Sequence, residues 1–110
     1  MRHALAALIL VAVATPAPAA EVIDVGEGEA ALNAVLYRPS GNGPFPVVVG
    51  MHGCAGMLNS SGQIVRRFAD WGERLSKEGI AVLFVDSFTP RGLGSQCSSD
   101  LLREQLGAFI

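Results

Sequence analysis

The hydrophobic pattern of the chain is sharpest in two short runs, Val47-Val48-Val49 and Ile80-Ala81-Val82-Leu83-Phe84-Val85, both too short for a helix. Uninterrupted apolar runs of this length predict strands buried on both faces, as in a parallel sheet. The first follows Pro44 and is predicted over Pro46–Met51; the second, Ile80–Val85, lies between Gly79 and Asp86. Between them Ile64, Phe68, Trp71 and Leu75 form one stripe at helical spacing, with Arg66, Arg67, Asp70, Glu73, Arg74 and Lys77 mostly off it. That spacing predicts an amphipathic helix. Ser60 and Gln63 stand at capping-box spacing and place its start near residue 60, and Gly79 places its end. Gly72, a poor helix former, predicts a close approach of helix to sheet. Strand, helix and strand make a crossover unit, so both strands end on one sheet edge, where ligand sites of α/β sheets lie.

Upstream, Val22–Val25 reads as a short edge strand, Gly26–Glu29 as a turn and Leu32–Arg38 as a second strand closed by the turn formers Pro39–Pro44. Gly26 and Gly28 are followed by acids and have no strand-to-helix context, which speaks against a phosphate loop. Downstream, the Gly- and Ser-rich loop from Asp86 to Ser98 leads to Ser98-Ser99-Asp100, a cap for a helix through Leu101, Leu102 and Leu106.

The first residues change the picture of where the protein works. Arg2 and His3 precede an apolar run from Ala4 to Ala14 and the small-residue pattern Ala17-Pro18-Ala19. This is the layout of a secretory signal, with cleavage expected after Ala19. The run is shorter than the ~20 apolar residues a membrane span needs, and Pro16 and Pro18 would stop a docked helix. Residues 1–19 are therefore read as a signal peptide and 20–110 as the domain, periplasmic or secreted, with no membrane attachment after cleavage. Net charge over the 110 residues is −2, and the cations are scattered or paired with acids, as in Arg66 with Asp70 and Arg74 with Glu78. No basic stripe forms, which argues against a nucleic-acid partner.

Candidate chemistry concentrates in the turn after the first apolar strand, His52-Gly53-Cys54-Ala55-Gly56. Its glycines permit positive φ and let backbone N–H groups face a ligand. His52 is the one histidine outside the signal, and no Ser is flanked by glycines two residues before and after it. A nucleophile with its acid and base is thus not identified in this chain. A His52–Cys54 dyad is one alternative, since residues two apart at a strand end point the same way. Metal-ligand spacing is lacking, and no cofactor is expected. Asp86 reads as a cap of the loop that follows it, and Arg91 as a solvated loop residue or a contact for an anionic group.

The strand entering His52–Gly56, the helix, the second strand and Asp86-Ser87-Phe88-Thr89-Pro90-Arg91-Gly92 together resemble the dienelactone hydrolase family of the α/β-hydrolases over roughly residues 30 to 100. The resemblance implies a mostly parallel sheet with flanking helices, of which this chain holds the N-terminal portion. The nucleophile, on a G-x-S-x-G type elbow, and the later acid and histidine would follow beyond residue 110, leaving this piece inactive alone. It also implies that the Cys54 backbone N–H is an oxyanion-hole donor, with His52 positioning the loop. Gly53 stands where the founding members carry an acid, so their substrate is not implied. The expected function is hydrolysis of an ester or lactone-like carbonyl in a small molecule; the alternative is a non-catalytic envelope binding module. Cys54 and Cys97 fall in loops at the same sheet edge, and in an exported chain they are expected to form a disulfide, two free thiols being the alternative.

Overall fold

A computed structural model of the chain describes residues 20–98. The expected signal and the expected helix through Leu101, Leu102 and Leu106 lie outside these residues. The four strands are β1 (Ala20–Val25), β2 (Leu32–Tyr37), β3 (Val47–Met51) and β4 (Ala81–Asp86). They form one sheet in the order β1-β2-β4-β3. β1 pairs antiparallel with β2 and β2 antiparallel with β4, while β3 runs parallel to β4. Over the described residues the sheet is mixed, with one parallel pairing, two antiparallel ones and one helix, an α/β arrangement.

The register places Val35, Tyr37, Val82, Phe84 and Asp86 on one face, because side chains alternate along a strand. Helix α1 (Arg66–Lys77) covers that face, with Phe68 stacked edge-on to Phe84 at 5.3 Å. Tyr37, Met57, Val82 and Phe84 are the buried core, and Val35, Leu58, Ile64, Phe68 and Leu75 pack around it. Gly72 is buried against Tyr37, and a Cβ there would enter the phenol ring. Close packing of helix on sheet is thus why the helix carries its least helix-prone residue at that point. Burial and the nearby Glu73 together raise the Tyr37 phenol above its ordinary value.

Three expectations are revised. β3 is not buried on both faces: Val47, Val49 and Met51 are about 60% exposed at 58%, 58% and 61%, because among the described elements only β4 lies beside it and α1 packs over β2 and β4. The helix begins at Arg66, not near Ser60. Asn59 Oδ1 accepts the N–H groups of Ser61 and Gln63 at 2.9 and 3.0 Å, and Leu58 pairs with Ile64 across the loop. An Asx-type turn has taken the Gln63 amide that a capping box would have used. Trp71 leaves the stripe and is 58% exposed, the sheet-facing side of α1 being Phe68, Gly72, Leu75 and Ser76. The end of α1 falls where expected, with Gly79 at φ +84° just beyond it.

Candidate functional site

The carboxyl ends of the parallel pair β3 and β4 lie side by side, Met51 opposite Val85. The residues that follow, His52 on one strand and Ser87 on the other, are hydrogen-bonded through their side chains. Ser87 donates its backbone N–H to His52 Nε2 at 3.1 Å, and Ser87 Oγ lies 2.9 Å from the same nitrogen. An amide N–H can only donate, so Nε2 is an acceptor and the neutral ring carries its proton on Nδ1. Nδ1 in turn donates to the Gly53 carbonyl at 2.9 Å. Phe88 packs its ring edgewise on the imidazole, 4.4 Å between centroids. The imidazole is a clamp between the two strand ends. As a base for Ser87 it is poorly placed, because the Ser87 amide already occupies the lone pair that would take the hydroxyl proton.

The Gly53 carbonyl also accepts the N–H of Gly56 at 3.0 Å, closing a β-turn over Cys54 and Ala55. Gly56 takes φ +82°, which explains the glycine there. Carbonyl and N–H point in opposite directions across a trans peptide. With the Gly53 oxygen holding His52 Nδ1 and the Gly56 N–H, the Cys54 N–H points away from those two groups. It has no hydrogen-bond partner among the described residues. Cys54 is held elsewhere too: its carbonyl accepts Gln96 N–H at 2.7 Å, and its sulfur is joined to Cys97, with the Cα atoms 4.8 Å apart. The Cys54–Cys97 disulfide exists, and the His52–Cys54 dyad is overturned because the Cys54 thiol is consumed in it.

Asp86, the last residue of β4, is buried to all but 2% and lies at the same edge. Its Oδ1 accepts the N–H groups of Phe88 and Thr89, both at 3.1 Å, so it caps the loop as expected. Burial pushes the carboxyl up, but bonding from the Thr89 side chain and from the Thr89 and Phe88 amides, with His52 nearby, outweighs it. The net position is below the ordinary carboxylate range. Oδ2 has no hydrogen-bond partner among the described residues. Arg91 donates to the Ser87 carbonyl at 3.0 Å, tying the loop back to β4.

A cavity of about 240 Å³ lies between the segments on either side of this edge, walled by Gly56, Leu58, Asn59, Phe88, Thr89 and Leu93, with Asp86 reaching it. Among the described residues no three His, Cys, Asp or Glu side chains converge as a metal site would require. Nor is any described helix long and apolar enough to cross a membrane. The structure therefore brings together His52, Cys54, Cys97 and Asp86 from the sequence reading. It adds Ser87, two residues past the second apolar run, whose backbone N–H and Oγ both meet His52 Nε2. Comparison with family models, curated proteins and solved structures finds no match for this chain.

Proposed function

We propose that the chain is the N-terminal part of an exported α/β-hydrolase that acts on the carbonyl of a small ester or lactone. In sequence motif it resembles the dienelactone hydrolases, and its contribution is one donor of the oxyanion site. One observation carries this reading: the Cys54 N–H, without a hydrogen-bond partner among the described residues, is fixed by two hydrogen bonds to the preceding carbonyl, one to its own carbonyl and a disulfide. A donor held rigid before the reaction needs no reorganisation as charge develops on the carbonyl oxygen, which is what oxyanion stabilisation requires. The order of strands supports the reading as well. β3 has β4 on one edge and none of the other three strands on the other, which leaves room for a further strand carrying a nucleophile.

The experiment follows the reading frame through whatever lies beyond Ile110 and assays that product on a p-nitrophenyl ester. Turnover is expected, and Cys54→Pro, which deletes the N–H, should lower kcat about 10²–10³-fold. Cys54→Ala loses the disulfide but keeps the amide, and should retain most of that rate. Equal losses in the two variants would overturn the oxyanion role. Absence of turnover together with absence of a downstream nucleophile would leave the binding-module alternative.

A further inference from the structure

We propose that Cys54–Cys97 is a site of thiol–disulfide exchange that works as a latch: an external dithiol opens it in the folded protein and frees one wall of the cavity of about 240 Å³ beside the Ala55–Gly56 turn. Leu93, Gly94 and Ser95 contribute that wall. The strap that carries them is held at its two ends. On the entry side the Leu93 N–H donates to the Phe88 carbonyl at 3.1 Å, after Gly92 has turned the chain at φ +67°. On the far side the Gln96 N–H donates to the Cys54 carbonyl at 2.7 Å, and Cys97 is bonded to Cys54 itself. Between these ends, among the described residues, Gly94 and Ser95 hydrogen-bond to nothing outside the strap; the Gly94 carbonyl accepts Gln96 Nε2 at 3.0 Å within it. Both far links thus end on one residue, and one of them is the bridge.

Three observations separate this bridge from a staple of the core. Cys54 and Cys97 are both exposed, and exposed disulfides are the ones that thiols open most readily. The bridge joins two loops and lies outside the cluster of Tyr37, Met57, Val82 and Phe84. The separation of 43 residues is closed without it, by the pairing of Met51 with Val85 and by the hydrogen bonds between Ser87 and His52 Nε2. Opening the bridge therefore releases the strap and leaves the strand ends in place. The exchange needs no group from this chain beyond the two sulfurs. A thiolate of the dithiol attacks one sulfur and forms a mixed disulfide, while the other sulfur leaves as a thiolate and takes up a proton. The second thiol of the reagent then displaces the remaining cysteine, so that two electrons and two protons pass to the chain and the reagent departs as its own disulfide. A single hydrogen bond, Gln96 to Cys54, is then left to hold the strap, and alone it is weak. The latch does not depend on the hydrolase reading, and its test uses no substrate.

The test treats the folded protein with dithiothreitol in the absence of denaturant, counts thiols and follows amide hydrogen exchange by NMR. Both cysteines should appear as free thiols, at a rate that rises in proportion to the dithiothreitol concentration, while the amides of β4 remain the slowest to exchange. The Gln96 amide should exchange about tenfold or more faster than in the oxidised protein, as a locally opened segment does. Cys97→Ser, which cannot form the bridge, should show the same fast exchange at Gln96 with or without dithiothreitol. If Cys97→Ser fails to fold, the unaltered protein decides alone. Thiols that appear only once denaturant is added, or a Gln96 amide as protected after reduction as before, would overturn the proposal and leave the bridge a structural staple.

Discussion

β3 and β4 are written in nearly the same alphabet, Val-Val-Val-Gly-Met against Ala-Val-Leu-Phe-Val-Asp, and they lie side by side in parallel. Yet Val82 is 1% exposed and Val48, directly opposite it, is 44% exposed. The difference owes nothing to the residues themselves. Among the described residues β4 has a strand on each edge and α1 over one face, whereas β3 is paired along one edge only. An apolar run states what a strand requires of its neighbours, and burial depends on whether those neighbours are there.

The comparison breaks most sharply if a charge is placed at each of the paired positions. Val82→Asp should abolish cooperative urea unfolding, because an unpaired charge in the core leaves too little of a net stability of roughly 5–15 kcal/mol. Val48→Asp should unfold within about 1 kcal/mol of the parent, since exposed substitutions seldom exceed that. If both variants fail, β3 is buried in solution after all. The next largest contrast is at Phe84, wedged between Tyr37 and Phe68 at 6.1 and 5.3 Å. Phe84→Ala should cost about 3–5 kcal/mol, against about half a kcal/mol for Val49→Ala, both read from denaturant midpoints.

The ends of the two strands are coupled where their middles are not. Reducing Cys54–Cys97, which closes a separation of 43 residues, should cost about 2–4 kcal/mol and lower the Tm accordingly. A fall of that size on reduction that is absent from a Cys97→Ser variant would show that the link, and not the reductant, is what stabilises. Acid should act through β4 rather than β3. Asp86 in the folded protein sits below its ordinary value, so its contribution is whole above the unfolded carboxyl near pH ~3.9 and drains away as pH falls toward the lower folded value. Asp86→Asn should remove this part of the acid limb in a pH series of unfolding curves. Smallest of all is Ser87→Ala: the Ser87 amide still holds His52 Nε2, and the cost should be about 0.5–1.5 kcal/mol.

Most of the strands were legible because Leu32–Tyr37 and Ala81–Asp86 are framed by turn formers and have the partners their patterns presuppose. Gly72 was legible for the same reason, a glycine in a helix being costly without a close contact. The start of α1 was not, since Ser60 and Gln63 at capping-box spacing are outcompeted by the Asn59 side chain, which reaches the Ser61 and Gln63 amides first. Trp71 was placed on the stripe by spacing, but the close seat of Gly72 on Tyr37 turns α1 so that Trp71 faces out. At the site, Cys54, Cys97, His52 and Asp86 stood out by residue type and by position near strand ends. Ser87 did not, because a serine beside an aspartate is an ordinary loop start until the loop beyond β4 brings its amide and hydroxyl onto His52 Nε2.

Gly50 interrupts the row of β3 side chains directly across from Phe84, and a Cβ there would enter the Phe84 ring. That ring cannot swing aside, being held from the other directions by Tyr37 and Phe68. In a library of all substitutions along β3, the large valines on the outside should accept many replacements and the smallest residue almost none. Drift on this strand would then be free at its most hydrophobic positions and arrested at the one without a side chain, so that what the strand omits constrains its history more than what it displays.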